Sequence, residues 1–350
     1  MAAPPSSGAG HGVAGGRIRR CDTLNHPRRA TARRLDQTRA NITGMTFQIP
    51  EPRATYDLTM GDGAAIRVRR HGNANAKARI FLGNGNGFAA DGYFPFWGPL
   101  CETFDMVVFD FRNHGWNPPA ESGADGHTYA QMTLDLDRVL REVRRRDGEK
   151  TDIGIFHSMS SRTAMKHAIE LGFKWSALFL FDPPNVPPKG HREYERMDFF
   201  EHRLAEWAKA RQERFGDPSE LAAHYREARA HSTWVEGAHE LMARAVLREA
   251  ADGGWELACP REYEASIYLQ AMTLCLWPPY DAFGGPMKLI GADPDARGAP
   301  GPAFANRALA EDFGYAYETV PGTGHLLQIQ KPEECRRIVF SFLDENGIGY

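Results

Sequence analysis

Long apolar runs are missing from this sequence. None approaches the roughly 20 residues that a bilayer-spanning helix needs, which excludes an integral helical membrane protein. Excess charge of one sign is missing too: 42 Lys and Arg against 45 Asp and Glu leave a formal net charge of −3. Nothing in that balance points to nucleic acid or an anionic membrane as partner. Cysteine is scarce and scattered. Cys21, Cys101, Cys259, Cys275 and Cys335 are odd in number, and no two stand at C-x-x-C spacing. That pattern suits neither a disulfide framework nor a structural zinc site and fits a reducing, cytoplasmic compartment. There is no H-E-x-x-H, and His239-Glu240 has no partner at helical spacing, so no metal and no cofactor is expected. The glycine-rich Gly83-Asn84-Gly85-Asn86-Gly87 lacks the G-x-G-x-x-G spacing of a dinucleotide loop.

What is present reads as a soluble globular chain of 350 residues, 42% hydrophobic and 25% charged, enough for one large core with an insertion. Residues 1–44 stand apart. Eight arginines between Arg17 and Arg39 face only Asp22 and Asp36, and no hydrophobic periodicity runs through them. The expectation is a disordered Arg-rich extension. A signal-peptide apolar core is lacking; an organelle transit peptide is the alternative reading, since such segments are Arg-rich and acid-poor.

From Arg53 onward strand and helix patterns alternate. Amphipathic strands are predicted at about Ala54–Met60 and Ala64–His71, then a short apolar strand Ile80–Leu82 and a helix around Tyr93–Thr103. Met106–Phe109 reads as a buried strand and Tyr129–Arg145 as a helix, with Met132, Leu136, Leu140 and Val143 at helical spacing. A strand Ile153–Phe156, a helix Ser160–Leu171 and a strand Ala177–Phe181 complete a β-α-β-α-β rhythm, which implies a parallel sheet with helices on both faces. At Asp182-Pro183-Pro184 the rhythm breaks. Residues 184–285 are charged, aromatic and helical in period, with no clear strand, and suggest a cap or lid over the sheet's carboxyl edge, where ligands bind in open α/β sheets. The alternation then resumes with strand Met287–Ile290, helix Ala303–Phe313, strand Ala316–Val320 and helix Pro332–Leu343. The predicted organisation is a core in two parts, residues 45–183 and 286–350, interrupted by that insertion.

The segment Ile153-Gly154-Ile155-Phe156-His157-Ser158-Met159-Ser160-Ser161 runs an apolar strand straight into a serine and then a helix. Such a corner lifts a hydroxyl above the sheet and puts helix N-terminal amides beneath a developing oxyanion. Small residues are wanted two positions either side of the serine; Ser160 meets that requirement and Phe156 does not. Room for its ring would have to come from Ala164, Gly154 or Ser161. Three further segments close predicted strands: Gly85-Asn86-Gly87-Phe88, Asp110-Phe111-Arg112-Asn113-His114-Gly115 and Gly322-Thr323-Gly324-His325-Leu326.

Together these resemble the α/β-hydrolase fold superfamily, whose nucleophile elbow commonly reads Gly-His-Ser-Met-Gly-Gly and whose base follows the last strand in Gly-His. The resemblance spans about Arg53 to Leu343 apart from the insertion. It implies Ser158 as nucleophile and His325 as general base, with His114 and His157 as packing residues. The family's order of serine, acid, histidine puts the acid after Met287–Ile290. Asp293, followed by proline, is the favoured residue there, Asp295 is the alternative, and Asp182 at another strand end is a third candidate. The implied oxyanion donors are the backbone amides of Phe88 and Met159. The expected activity is hydrolysis of a carboxylic ester or similar small acyl substrate by a monomer or small homo-oligomer. A non-catalytic ligand receptor and an acyltransferase are the rival readings.

Overall fold

The computed structural model describes residues 47–350. The extension expected at 1–44, with Cys21 and any transit-peptide role, lies outside these residues. At the centre is one eight-stranded sheet: β1 (Ala54–Thr59), β2 (Ala65–Gly72), β3 (Ala78–Leu82), β4 (Asp105–Phe109), β5 (Thr151–His157), β6 (Ala177–Phe181), β10 (Met287–Ala292) and β11 (Ala316–Val320). Their order across the sheet is β1-β2-β4-β3-β5-β6-β10-β11. The six strands from β4 to β11 are parallel, and β2 and β1 join antiparallel at one edge. Every residue of β3, β4 and β6 is buried, as expected of parallel strands covered on both faces.

One face packs against α2 (Tyr129–Asp147), α3 (Met159–Leu171) and α8 (Gly301–Phe313) through Leu136, Val139, Met165 and Leu309. The other packs against α9 (Pro332–Glu345) and the segment 90–102 through Phe342, Val339, Tyr93 and Trp97. The helix α2 starts where Thr128 accepts from the Gln131 amide and stops at Gly148, whose φ is 76°. The single helix expected at Tyr93–Thr103 is three short pieces, with only Phe94–Trp97 (α1) α-helical. Pro95 and Pro99 explain the breaks, because each removes an amide that a continuous helix would use.

Between β6 and β10 run α4 (Tyr194–Ala210), β7 (Arg214–Phe215), α5 (Pro218–Glu227), α6 (Ala238–Val246), β8 (Leu247–Glu249), β9 (Trp255–Leu257) and α7 (Arg261–Ala271). This corrects the expectation of an all-helical insertion: β7, β9 and β8 form a three-stranded antiparallel sheet. Strands of two or three residues are too short to show a period-two pattern. Among the described residues, no helix is long and apolar enough to cross a membrane, no cluster of metal-ligating side chains occurs, and the four cysteines are free.

Candidate active site

Strand β5 delivers Ser158 into a sharp corner. Its φ and ψ are 55° and −116°, a conformation that a residue with a Cβ adopts only at an energetic cost of order 1–3 kcal/mol. Neighbouring hydrogen bonds hold it there. The Ser158 amide donates to Phe181 O at 2.9 Å and its carbonyl accepts from the Arg162 amide at 3.1 Å. Ser160, where a glycine is common in this motif, accepts from the His157 amide and donates to the His157 carbonyl, both at 2.9 Å. The bulky Phe156 is accommodated by glycines. A Cβ on Gly154 would meet Leu178 at 2.7 Å and the Phe156 ring at 2.8 Å, and a Cβ on Gly83 would lie 3.4 Å from that ring. Of the small residues expected to make room, Gly154 contributes, and Gly83 was not anticipated. The Phe156 ring meets Trp175 edge to face, 5.6 Å between centroids.

His325, in the loop after β11, has Nε2 2.9 Å from Ser158 Oγ. Its Nδ1 lies 2.6 Å from Oδ2 of Asp182. The third candidate therefore stands where Asp293 was favoured. Asp182 closes β6 with φ 43°, and the prolines after it stop the strand. Its amide donates to Ile290 O at 2.7 Å. Its Oδ1 accepts from the Ala292 amide at 3.0 Å and from Asn306 Nδ2 at 2.9 Å, leaving Oδ2 for the imidazole. A fully buried carboxylate with three hydrogen-bond partners is held in one orientation. Asp293 faces another way: it accepts from the Gly322 amide at 2.7 Å and the Asp295 amide at 2.9 Å. These backbone donors, Gly322 first, pull its carboxyl below the usual range. It ties the loop after β10 to the loop carrying His325. Asp295 is exposed and pairs with Arg307 at 3.2 Å.

The imidazole loop is also fixed from below. His157 donates through Nε2 to the carbonyl of His325 at 2.8 Å and accepts at Nδ1 from the Tyr93 hydroxyl at 2.8 Å, which itself accepts from the Gly85 amide at 3.2 Å. Burial, and then the nearby His325, push the His157 ring well below its usual pKa, so it stays neutral and the tautomer follows from its partners. His114 is likewise depressed by burial. Its Nδ1 donates to Arg112 O at 2.9 Å and its Nε2 accepts from the Gly87 amide at 3.1 Å. In the same segment Asp110 accepts from the amides of Ala90 and Trp116. Both histidines are buried and hydrogen-bonded to groups of the surrounding loops.

The loop after β3 spends several of its amides within itself and on its supports. Gly85 donates to Tyr93, Gly87 to His114, and Phe88 to Gly85 O at 3.1 Å. The Phe88 amide, expected to face an oxyanion, is consumed in that turn; the Asn86 amide has no acceptor among the described residues. Met159, at the first position of α3, has an amide that no helical carbonyl can reach. The insertion borders this loop, since Asn86 Nδ2 donates to Glu264 O at 2.9 Å and the Glu264 carboxylate lies within 2.5 Å of where a Gly87 Cβ would be. On the opposite flank the Phe200 ring approaches His325 edge to face at 6.3 Å, and the next residue, Glu201, forms a fully buried pair with Arg162 of α3. Neither buried ion pair, Glu201–Arg162 or Glu264–Arg211 at 2.6 Å, was anticipated. Their residues sit in a charged, helical stretch where they look like ordinary solvated positions.

Residues 80–338 match the model of an alpha/beta hydrolase family. No curated protein sequence matches the chain. Among solved structures, E-2-(acetamidomethylene)succinate hydrolase superposes with a TM-score of 0.65 at 18% identity, covering 83% of this chain and 99% of that one. The thioesterase domain of the curacin biosynthetic pathway gives 0.59 at 16%, covering 82% and 98%. An esterase from Exiguobacterium antarcticum gives 0.59 at 15%, covering 83% and 100%. At such identities the likeness is one of fold.

Proposed function

Because the chain belongs to the alpha/beta hydrolase family, we propose that it is a serine hydrolase that cleaves a carboxylic ester or similar small acyl substrate through an acyl-enzyme on Ser158. The observation that carries this reading is the unbroken chain from Ser158 Oγ to His325 at 2.9 Å and from His325 to Asp182 at 2.6 Å. His325 Nε2 takes the serine proton as Oγ attacks the acyl carbon, and Asp182 stabilises the imidazolium and fixes its tautomer. The amides of Met159 and Asn86 face the oxyanion. Collapse expels the alcohol, which leaves with the proton from His325. Water, deprotonated by the same ring, then releases the acid and regenerates Ser158. The insertion at 184–285 serves as the lid whose inner residues choose the acyl group.

Against a receptor reading stands the Ser158–His325 contact at 2.9 Å, which is kept with the bulky Phe156 at the elbow. An acyltransferase would share the first half-reaction and differ in the acceptor. The test is turnover of a panel of short-chain p-nitrophenyl esters, read from the initial burst and the steady rate. A burst equal to the enzyme concentration is expected, with kcat falling by at least about a thousandfold in Ser158→Ala. Equal rates for wild type and variant would reject the assignment.

A further inference from the structure

The insertion carries an unusual set of buried polar atoms beside the loop after β3. His231 Nδ1 and Trp234 Nε1 have no hydrogen-bond partner among the described residues, although their residues are 9% and 6% exposed, and the Tyr225 hydroxyl, on a residue 3% exposed, has only the Arg211 guanidinium beside it and keeps its own O–H to donate. Buried hydroxyls and indole N–H groups normally find partners, because leaving one bare costs about 1–3 kcal/mol. The three rings form one cluster. Their centroids lie 5.2 Å apart for Tyr225 and His231, 5.4 Å for Tyr225 and Trp234, and 4.6 Å for His231 and Trp234.

Three contacts tie the cluster to the site. The Phe88 ring meets both His231 and Trp234 at 6.3 Å. The Val235 amide donates to Ile329 O at 3.2 Å, just past His325. His231 also lies within the field of His325. Burial holds the His231 ring neutral, with its pKa pushed down to about 4, so it has one N–H to give. The Tyr225 hydroxyl lies beside the Arg211 guanidinium, which Glu264 engages through a single nitrogen at 2.6 Å. The Tyr225 O–H, the Trp234 indole N–H and the neutral His231 ring thus sit in one buried cluster, and an acceptor would satisfy the two donors.

We propose that this cluster is a subsite for a second oxygen acceptor on the acyl chain, a carboxylate or a carboxamide, so that the preferred substrate is a polar acyl ester and not a plain aliphatic one. This rests on the hydrolase reading for its setting. Tyr225 and Trp234 are specificity-determining residues that hold the far end of the acyl group while Ser158 attacks the near end. Asn86 leaves its side-chain Oδ1 bare on the neighbouring loop, an acceptor that a carboxamide N–H would use and a carboxylate would not.

The experiment measures binding without turnover, by calorimetric titration of the Ser158→Ala protein with monomethyl succinate, methyl succinamate and methyl butyrate. At least one polar ester is expected to bind about tenfold or more tightly than methyl butyrate. Which of the two leads distinguishes carboxylate from carboxamide. Adding Tyr225→Phe or, separately, Trp234→Phe should shrink that preference several-fold, with circular dichroism confirming the fold of each. Equal binding of all three esters, or a preference that survives both substitutions in folded protein, overturns the inference. A chain that shows the preference but turns over no ester would sink the hydrolase assignment alone.

Discussion

At the scale of single residues, the account turns on which carboxylate faces His325. Asp182 reaches Nδ1 at 2.6 Å with its other oxygen anchored twice, whereas Asp293 spends both oxygens on backbone amides. Asp182→Asn should therefore lower kcat by roughly three to four orders of magnitude with little change in KM, through the wrong imidazole tautomer. Asp293→Asn keeps one acceptor oxygen and should lose less than about tenfold. Steady-state kinetics on the two variants check this. The sequence alone could not separate the two aspartates, since each closes an apolar strand and precedes a proline. What decides is the turn at φ 43°, which swings the Asp182 carboxylate under the end of β10, a property of backbone that no side-chain pattern displays. The Asn86 amide was equally hidden, because its freedom follows from where its neighbours' amides go.

At the scale of elements, strand–loop–strand rhythm made the core readable. Apolar runs of three to five residues marked β3 to β6, and the serine and histidine both fell just past strand ends, where an α/β sheet presents its site. The insertion was less readable because its contacts are long-range. Glu264, Arg211 and Tyr225 look like surface positions until α7 is laid on the loop after β3. The seating of Phe156 belongs here too. Gly154→Ala would push a methyl into Leu178 and Phe156 and should destabilise the protein by about 1–3 kcal/mol. Phe156→Leu in the same chain should recover part of that loss, giving a non-zero coupling in a thermal-melt double-mutant cycle. Strict additivity would show that the two side chains do not compete for the space.

At the scale of the whole molecule, buried histidines set the response to acid. Burial is the largest influence depressing His71, His114, His127, His157, His167, His231 and His239. Each folded-state pKa lies below that of the unfolded chain, so the unfolded state binds more protons as pH falls from about 6.5. The stability these rings contribute is complete above that pH and is lost toward pH 4, the value reached by His71 and His231. Asp110, Asp135 and Glu201, raised by burial, act in the opposite sense, but they are three against seven and each is opposed by an arginine. The melting temperature should fall steadily between pH 7 and pH 5. A flat or rising profile would mean that the histidines are not buried as described.

The central claim, an activated Ser158 oriented through His325 by Asp182, is tested most directly by the rate of labelling with a fluorophosphonate probe. Wild type and Asp293→Asn should label at similar rates, Ser158→Ala should not label, and Asp182→Asn should be slowed by about a hundredfold or more. A folded wild type that resists the probe, or an Asp293→Asn protein slowed as much as Asp182→Asn, would contradict it.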